Sequence, residues 1–189
     1  TIAAPPTEET WQAIAVNGQR IGYGHVVTTR EERDGRTIVV TDLRMHTVIR
    51  RFDGKVTLIV RQRSEEDPAG NLLTFESELD NPPAAHVLMT GKVVDGQLRI
   101  VTSAGGQKTS TNLPAAADLK SPVYFDRMLE ETPLAEGEQR TLKVFDPQVG
   151  SILTIRATHR GDAEFTTPGG ESQRGTLIAA EYLDGLPGL

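Results

Sequence analysis

Arg36–Glu65, RTIVVTDLRMHTVIRRFDGKVTLIVRQRSE, alternates apolar and polar residues along two arms joined at Asp53-Gly54. Period-two alternation on both sides of an Asp-Gly step predicts a long β-hairpin. A tight turn on Asp53-Gly54 pairs residues whose numbers sum to 107. One face then carries Leu43, Met45, Thr47 and Ile49 against Val56, Leu58 and Val60. The other carries Arg44, His46 and Arg50 against Thr57, Arg61 and Arg63. A sheet with one dry and one wet face needs a cover for the dry one.

Working outward, the same turn chemistry recurs. TWQAIAV (10–16) runs into Asn17-Gly18, and Asp34-Gly35 joins QRIGYGHVVTTREER to the central hairpin, pairing Val26 with Leu43 and Thr28 with Thr41. In the first hairpin, pairs summing to 35 set Trp11 against Gly24 and Ala13 against Gly22. Trp11 then reads either as a stacking platform for a ligand or as a packed core tryptophan. The apolar phase shifts between Ile21/Tyr23 and Val26, which predicts a bulge near the glycines. Further strands are expected at 71–79, 84–94, 97–103, 107–113, 139–147, 151–159, 163–167 and 173–183, most of them separated by Gly-containing turns.

One helix is expected at 121–131, with Ser121 as its N-cap and Pro122 in its first turn. The predicted architecture is mainly β: a large curved antiparallel half-barrel of about ten strands in meander order, covered by that helix. Residues 1–9 read as a linker or trimmed N-terminus, 10–183 as a single β-domain, and 184–189 as a linker to a possible downstream domain.

Composition narrows the function classes. The chain has 189 residues, a formal net charge of −6 and no cysteine. The charge argues against nucleic acid as a partner, and the missing thiol removes cysteine nucleophiles and thiolate metal sites. No apolar run approaches the ~20 residues of a membrane-spanning helix. His25, His46, His86 and His159 fall in no local zinc spacing, and no nucleophile elbow or phosphate loop occurs, so neither metal nor cofactor is expected.

Two constellations remain. Arginine outnumbers lysine 15 to 5, and Arg44, His46, Arg50, Arg61 and Arg63 share the wet face. They form either an anion- or partner-binding surface or a solvated face of mutually neutralising charges. Trp11, Leu43, Met45, Leu58, Val60, Phe75 and Met89 are expected along the dry side, as a filled core or as an open trough for a lipid chain.

The order W-x-x-x-x-x-N-G-x-x-I-G-Y (Trp11–Tyr23), the R-F-D-G turn (Arg51–Gly54) and the late F-D-P (Phe145–Pro147) resemble the β-domain upstream of the transglutaminase-like, cysteine-protease-fold domain of large exported bacterial proteins. That resemblance implies a periplasmic or extracellular, non-catalytic accessory domain whose catalytic Cys-His-Asp partner set lies beyond Leu189. Its partner would be a downstream domain of the same chain or another envelope protein. The half-barrel-plus-helix architecture is also similar to that of envelope lipoprotein carriers. This implies the alternative of a carrier for lipid or lipoprotein.

Overall fold

The structure, a computed structural model, describes residues 7–51, 54–82, 85–167 and 170–184. The strands expected in a single domain group into two compact units, Thr1–Val123 and Tyr124–Leu189. The mainly antiparallel β architecture stands, with eleven strands among the described residues, but these form an eight-stranded and a three-stranded sheet rather than one.

In the first unit, β1 (Thr7–Val16), β2 (Gln19–Arg33), β3 (Arg36–Arg51), β4 (Gly54–Glu66), β5 (Leu72–Asn81), β6 (Ala85–Val94), β7 (Gln97–Ala104) and β8 (Gln107–Pro114) pair strictly in chain order. Tight turns make this meander. Asn17, Asp34 and Asp95 have φ of 51°, 53° and 52°, each followed by a glycine near 70°. Positive φ at both central residues is the signature of the type I′ turn, whose twist matches that of the strands it joins. Thr7–Glu9, expected in a linker, instead extend β1 against Val27–Thr29. The remainder of that linker and all of 185–189 lie outside the described residues.

The β2–β3 register is the expected one, with Val26 opposite Leu43 and Thr28 opposite Thr41. The other two hairpins differ. In β3–β4, Arg51 faces Gly54 and Met45 faces Val60, so pairs sum to 105 rather than 107. Gly54 is thus the first residue of a strand rather than part of the turn; Asp53 lies outside the described residues. In β1–β2, Trp11 faces His25 and Gln12 faces Gly24, one residue from expectation, and the register shifts between Ile14 and Ala15. The predicted bulge exists there, leaving Ile21 as the extra residue of β2.

Val39, Val40, Val60, Leu72, Phe75, Leu98, Ile100 and Leu119 are buried, interleaved with buried Thr41, Gln62, Ser64, Glu66, Ser77 and Ser121. After β8 the chain returns to the β4–β5 corner. The Leu72 N–H donates to the Leu119 carbonyl at 2.8 Å, and Lys120 Nζ donates to Ala69 O and Asn71 Oδ1 at 2.7 and 2.8 Å. The Ser121 hydroxyl donates to Glu66 Oε1. That bond replaces the expected cap: the helix starts at Tyr124, not at Ser121.

The second unit holds α1 (Tyr124–Glu131), β9 (Gln139–Asp146), β10 (Ser151–Thr166) and β11 (Ser172–Tyr182), in the sheet order β11-β10-β9. The strands expected at 151–159 and 163–167 are one, β10. Both halves pair with β11, so the Gly161-Asp162 turn signal marks an irregularity between His159 and Asp162, with Gly161 at φ 97°. Arg140 donates to Thr132 O at 3.0 Å and to Glu138 Oε1 at 2.9 Å, tying β9 to the end of α1.

Candidate functional site

Because directly opposed residues of an antiparallel sheet point to the same side, the registers of β1 to β6 define the wet face row by row. One row runs Trp11, His25, Arg44, Arg61, Glu78. The rows beside it run Glu9, Val27, Asp42, Arg63, Glu76 and Ala13, Tyr23, His46, Ile59, Asp80, His86. Arg44, His46, Arg50, Arg61 and Arg63 therefore share a face, as their alternation predicts. Leu43, Met45, Leu58, Val60, Phe75 and Met89 share the opposite one. Trp11 does not belong with them. The one-residue register difference carries it to the charged face, where it is 63% exposed.

There Trp11 forms part of a fixed aromatic platform. Its ring lies 4.1 Å from that of His25 at an interplanar angle of 17°, and 5.9 Å from Tyr23. Tyr23 in turn stacks on His46 at 5.7 Å. Glu9 Oε1 accepts the indole N–H at 3.1 Å and lies 2.8 Å from His25 Nε2. One carboxylate thus orients both rings, and the packed-core reading of Trp11 is set aside. The sequence carries the signal in Glu9 and Trp11, two apart and so on one face of β1.

Beside the platform the arginines divide. Arg63 Nη1 donates to Asp42 Oδ2 at 2.8 Å. Arg61 Nη1 donates to Glu78 Oε2 at 3.0 Å and Asp80 Oδ2 at 2.9 Å. With pairs summing to 105 rather than 107, Asp42 lies directly across from Arg63 and not from Glu65, which binds Arg33 at 2.6 Å. Arg44 and Arg50 make no ion pair among the described residues. Asp42, Arg44, Arg61, Arg63, Glu76 and Glu78 rim a shallow depression of about 180 Å³.

Glu78, Asp80 and His86 bring three ligand atoms within 4.8 Å of one another. No local motif signals this cluster, because it is assembled across β5 and β6. A histidine with two carboxylates has the donor composition of a divalent-cation site. Here, however, Arg61 takes one oxygen of each carboxylate and His86 Nδ1 lies 2.6 Å from Asp80 Oδ1. The four groups account for one another as an ion-pair network. His159 stands apart in the second unit, its Nδ1 2.9 Å from Leu134 O.

These networks set an acid dependence. His86 and then Arg61 hold the Asp80 carboxyl below its ordinary range. Arg33, with help from Thr74, does the same for Glu65 against the opposing effect of burial. The Ala135 N–H, followed by Arg140, depresses Glu138. A carboxyl with a depressed folded pKa stabilises the fold above its unfolded value and loses that contribution as pH falls through the folded one. Thermal midpoints are therefore expected to be level between about pH 6 and 5 and to fall progressively below about pH 4.5. Midpoints that stay level down to about pH 3 would show that these bonds contribute nothing.

The fold and this face together define a mainly antiparallel β protein with an aromatic and charged sheet surface. The chain is similar to the crystal structure of a beta-barrel-like protein of the domain of unknown function DUF1849 from Brucella abortus, at 12% identity and a TM-score of 0.53 over 95% of this chain and 81% of that one. At that identity the likeness speaks for the fold alone. No family model matches the chain, and no match is found among curated proteins.

Proposed function

We propose that this chain is a non-catalytic binding domain that docks a protein partner on the charged face of its eight-stranded sheet. The observation that carries this reading is the Glu9-clamped Trp11–His25 stack, exposed on the same row as Arg44. Exposed aromatic and arginine side chains are the residue types that anchor protein interfaces. A ring already held by Glu9 and His25 has less rotamer freedom to lose on binding. The resemblance to β-domains upstream of transglutaminase-like domains supports a partner in the same exported gene product.

The internal pairing of Arg61 and Arg63 assigns them a structural part. Of the cations on this face without an ion pair, Arg44 shares the row of Trp11 and His25, and Arg44 and Trp11 are the anchors. The test compares amide hydrogen exchange of the isolated chain with that of the same residues in the full gene product. Protection of the backbone around Trp11, His25 and Arg44 only in the full product, abolished by Trp11→Ala, is the expected result. Unchanged exchange on this face, or a gene product no longer than this chain, would count against docking within one chain.

A further inference from the structure

Glu9 Oε1 holds both rings of the platform at once. It accepts the Trp11 indole N–H at 3.1 Å and lies 2.8 Å from His25 Nε2. The imidazole lies nearly flat on the indole, with 4.1 Å between centroids and 17° between planes. Histidine is the side chain that changes charge between about pH 5 and 8, so the state of Nε2 decides what the carboxylate and the indole meet. As the imidazolium, His25 donates a charge-assisted bond to Glu9 and lays a cation on the aromatic face best suited to one. As neutral imidazole it loses the cation. In the tautomer protonated at Nδ1 it also turns a lone pair on the carboxylate. No second bond fixes the tautomer, because His25 Nδ1 has no hydrogen bond among the described residues.

The charged and titratable neighbours of His25 on this face come from three strands. β1 supplies Glu9, and β2 itself supplies Tyr23, two residues away. β3 supplies Arg44 directly opposite, with Asp42 and His46 on the rows to either side. Asp42 is held by Arg63 at 2.8 Å, and His46 is stacked on Tyr23. Arg44 is the opposing charge, but it is exposed, whereas Glu9 is in hydrogen-bond contact. That contact governs how the ring sits.

We propose that His25 gates the charged face: its imidazolium locks the Trp11 ring in place, its neutral form releases it, and docking strengthens on acidification. The consequence for docking rests on the reading of this face as a partner surface. With His25 charged, the Glu9–His25 pair presents no net charge to an incoming surface. With His25 neutral, a partner covering the platform must strip water from an uncompensated carboxylate, which costs more. The sign follows: docking is strongest at the acidic end of the histidine range and weakens as pH rises through it.

Trp11 is the only tryptophan of the chain, so tryptophan emission reports on this ring alone. An imidazolium in contact with an indole quenches its fluorescence more strongly than the neutral ring does. Emission of the whole chain is therefore expected to fall, reversibly, between about pH 8 and about pH 5. His25→Gln is expected to abolish the fall and His46→Gln to keep it. Glu9→Gln removes the charge that favours the imidazolium and is expected to displace the fall toward lower pH. In the full gene product, backbone protection around Trp11, corrected for the intrinsic pH dependence of exchange, is expected to be about two- to fivefold greater at the acidic end. Flat emission, a fall that survives His25→Gln, or one that Glu9→Gln leaves in place overturns the proposal. So does protection that is present but equal at both ends of the range. Protection absent at both ends, with the emission response intact, defeats the docking reading alone and leaves the lock on the ring standing.

Discussion

Glu66→Ala is expected to lower the stability of the first unit by about 2–4 kcal/mol, read as a fall in the urea midpoint at unchanged slope. Glu66 is fully buried at the end of β4. Its Oε1 accepts from the Ser64 hydroxyl at 3.1 Å and from the Ser121 hydroxyl, and both serines are buried. Truncation releases the carboxyl from its desolvation cost. In exchange it leaves two buried hydroxyls short of an acceptor and opens a void among close-packed neighbours. Glu66→Gln keeps the volume and an oxygen acceptor, so it is expected to cost no more than about 1 kcal/mol. Equal losses in the two variants would show that the side chain matters only as filler.

A second large effect is expected at Gly91 on β6. Phe75 is directly opposite on β5 and its ring lies over the glycine. A Cβ at residue 91 would come 2.0 Å from Phe75 Cε1 and 2.7 Å from Cζ. Phe75 is only 5% exposed, so its ring has no solvent to swing into. Gly91→Ala is expected to cost about 1–3 kcal/mol through overpacking. The pair Phe75→Leu/Gly91→Ala should lose less than the sum of its single changes, because the smaller side chain vacates the overlap. Gly175 supplies the contrast: a Cβ there meets Phe165 Cε1 at 2.8 Å, but Phe165 is half exposed and free to move. Gly175→Ala should therefore stay within about 0.5 kcal/mol. Similar losses at the two glycines would mean that ring confinement is not the cause.

The faces of the central hairpin were legible in the sequence because the error in its register was two residues, an even number. Side chains alternate with period two, so Met45 remains on the side of Val60 although its exact partner changes. For Trp11 the error was one residue, which moved it from the dry face to the wet one. The bulge that shifts the register between Ile14 and Ala15 sits between the Asn17-Gly18 turn and Trp11, and a count made from the turn cannot see it. Turn dipeptides told truly wherever both strands ended at them, as at Asp34-Gly35. They misled at Gly161-Asp162, where continuous pairing with β11 overrides the local signal. Ser121 had the chemistry of a helix cap, but Glu66, 55 positions earlier, claims its hydroxyl.

The strictly sequential order of the eight-stranded sheet bears on how the molecule acquires its shape. Each strand finds its partner in the segment made just before it, so a chain emerging from one end can zip up hairpin by hairpin without waiting for distant residues. Local pairings of this kind close small loops and lower the entropic barrier to folding. The bonds from Leu119, Lys120 and Ser121 back to the β4–β5 corner are the exception. They join positions roughly 50 residues apart, and cannot form until β8 has been passed. On a vectorial pathway they act as a final latch, so a truncation ending at β8 would complete every sheet pairing of this unit and still lack the fastening that Glu66 provides.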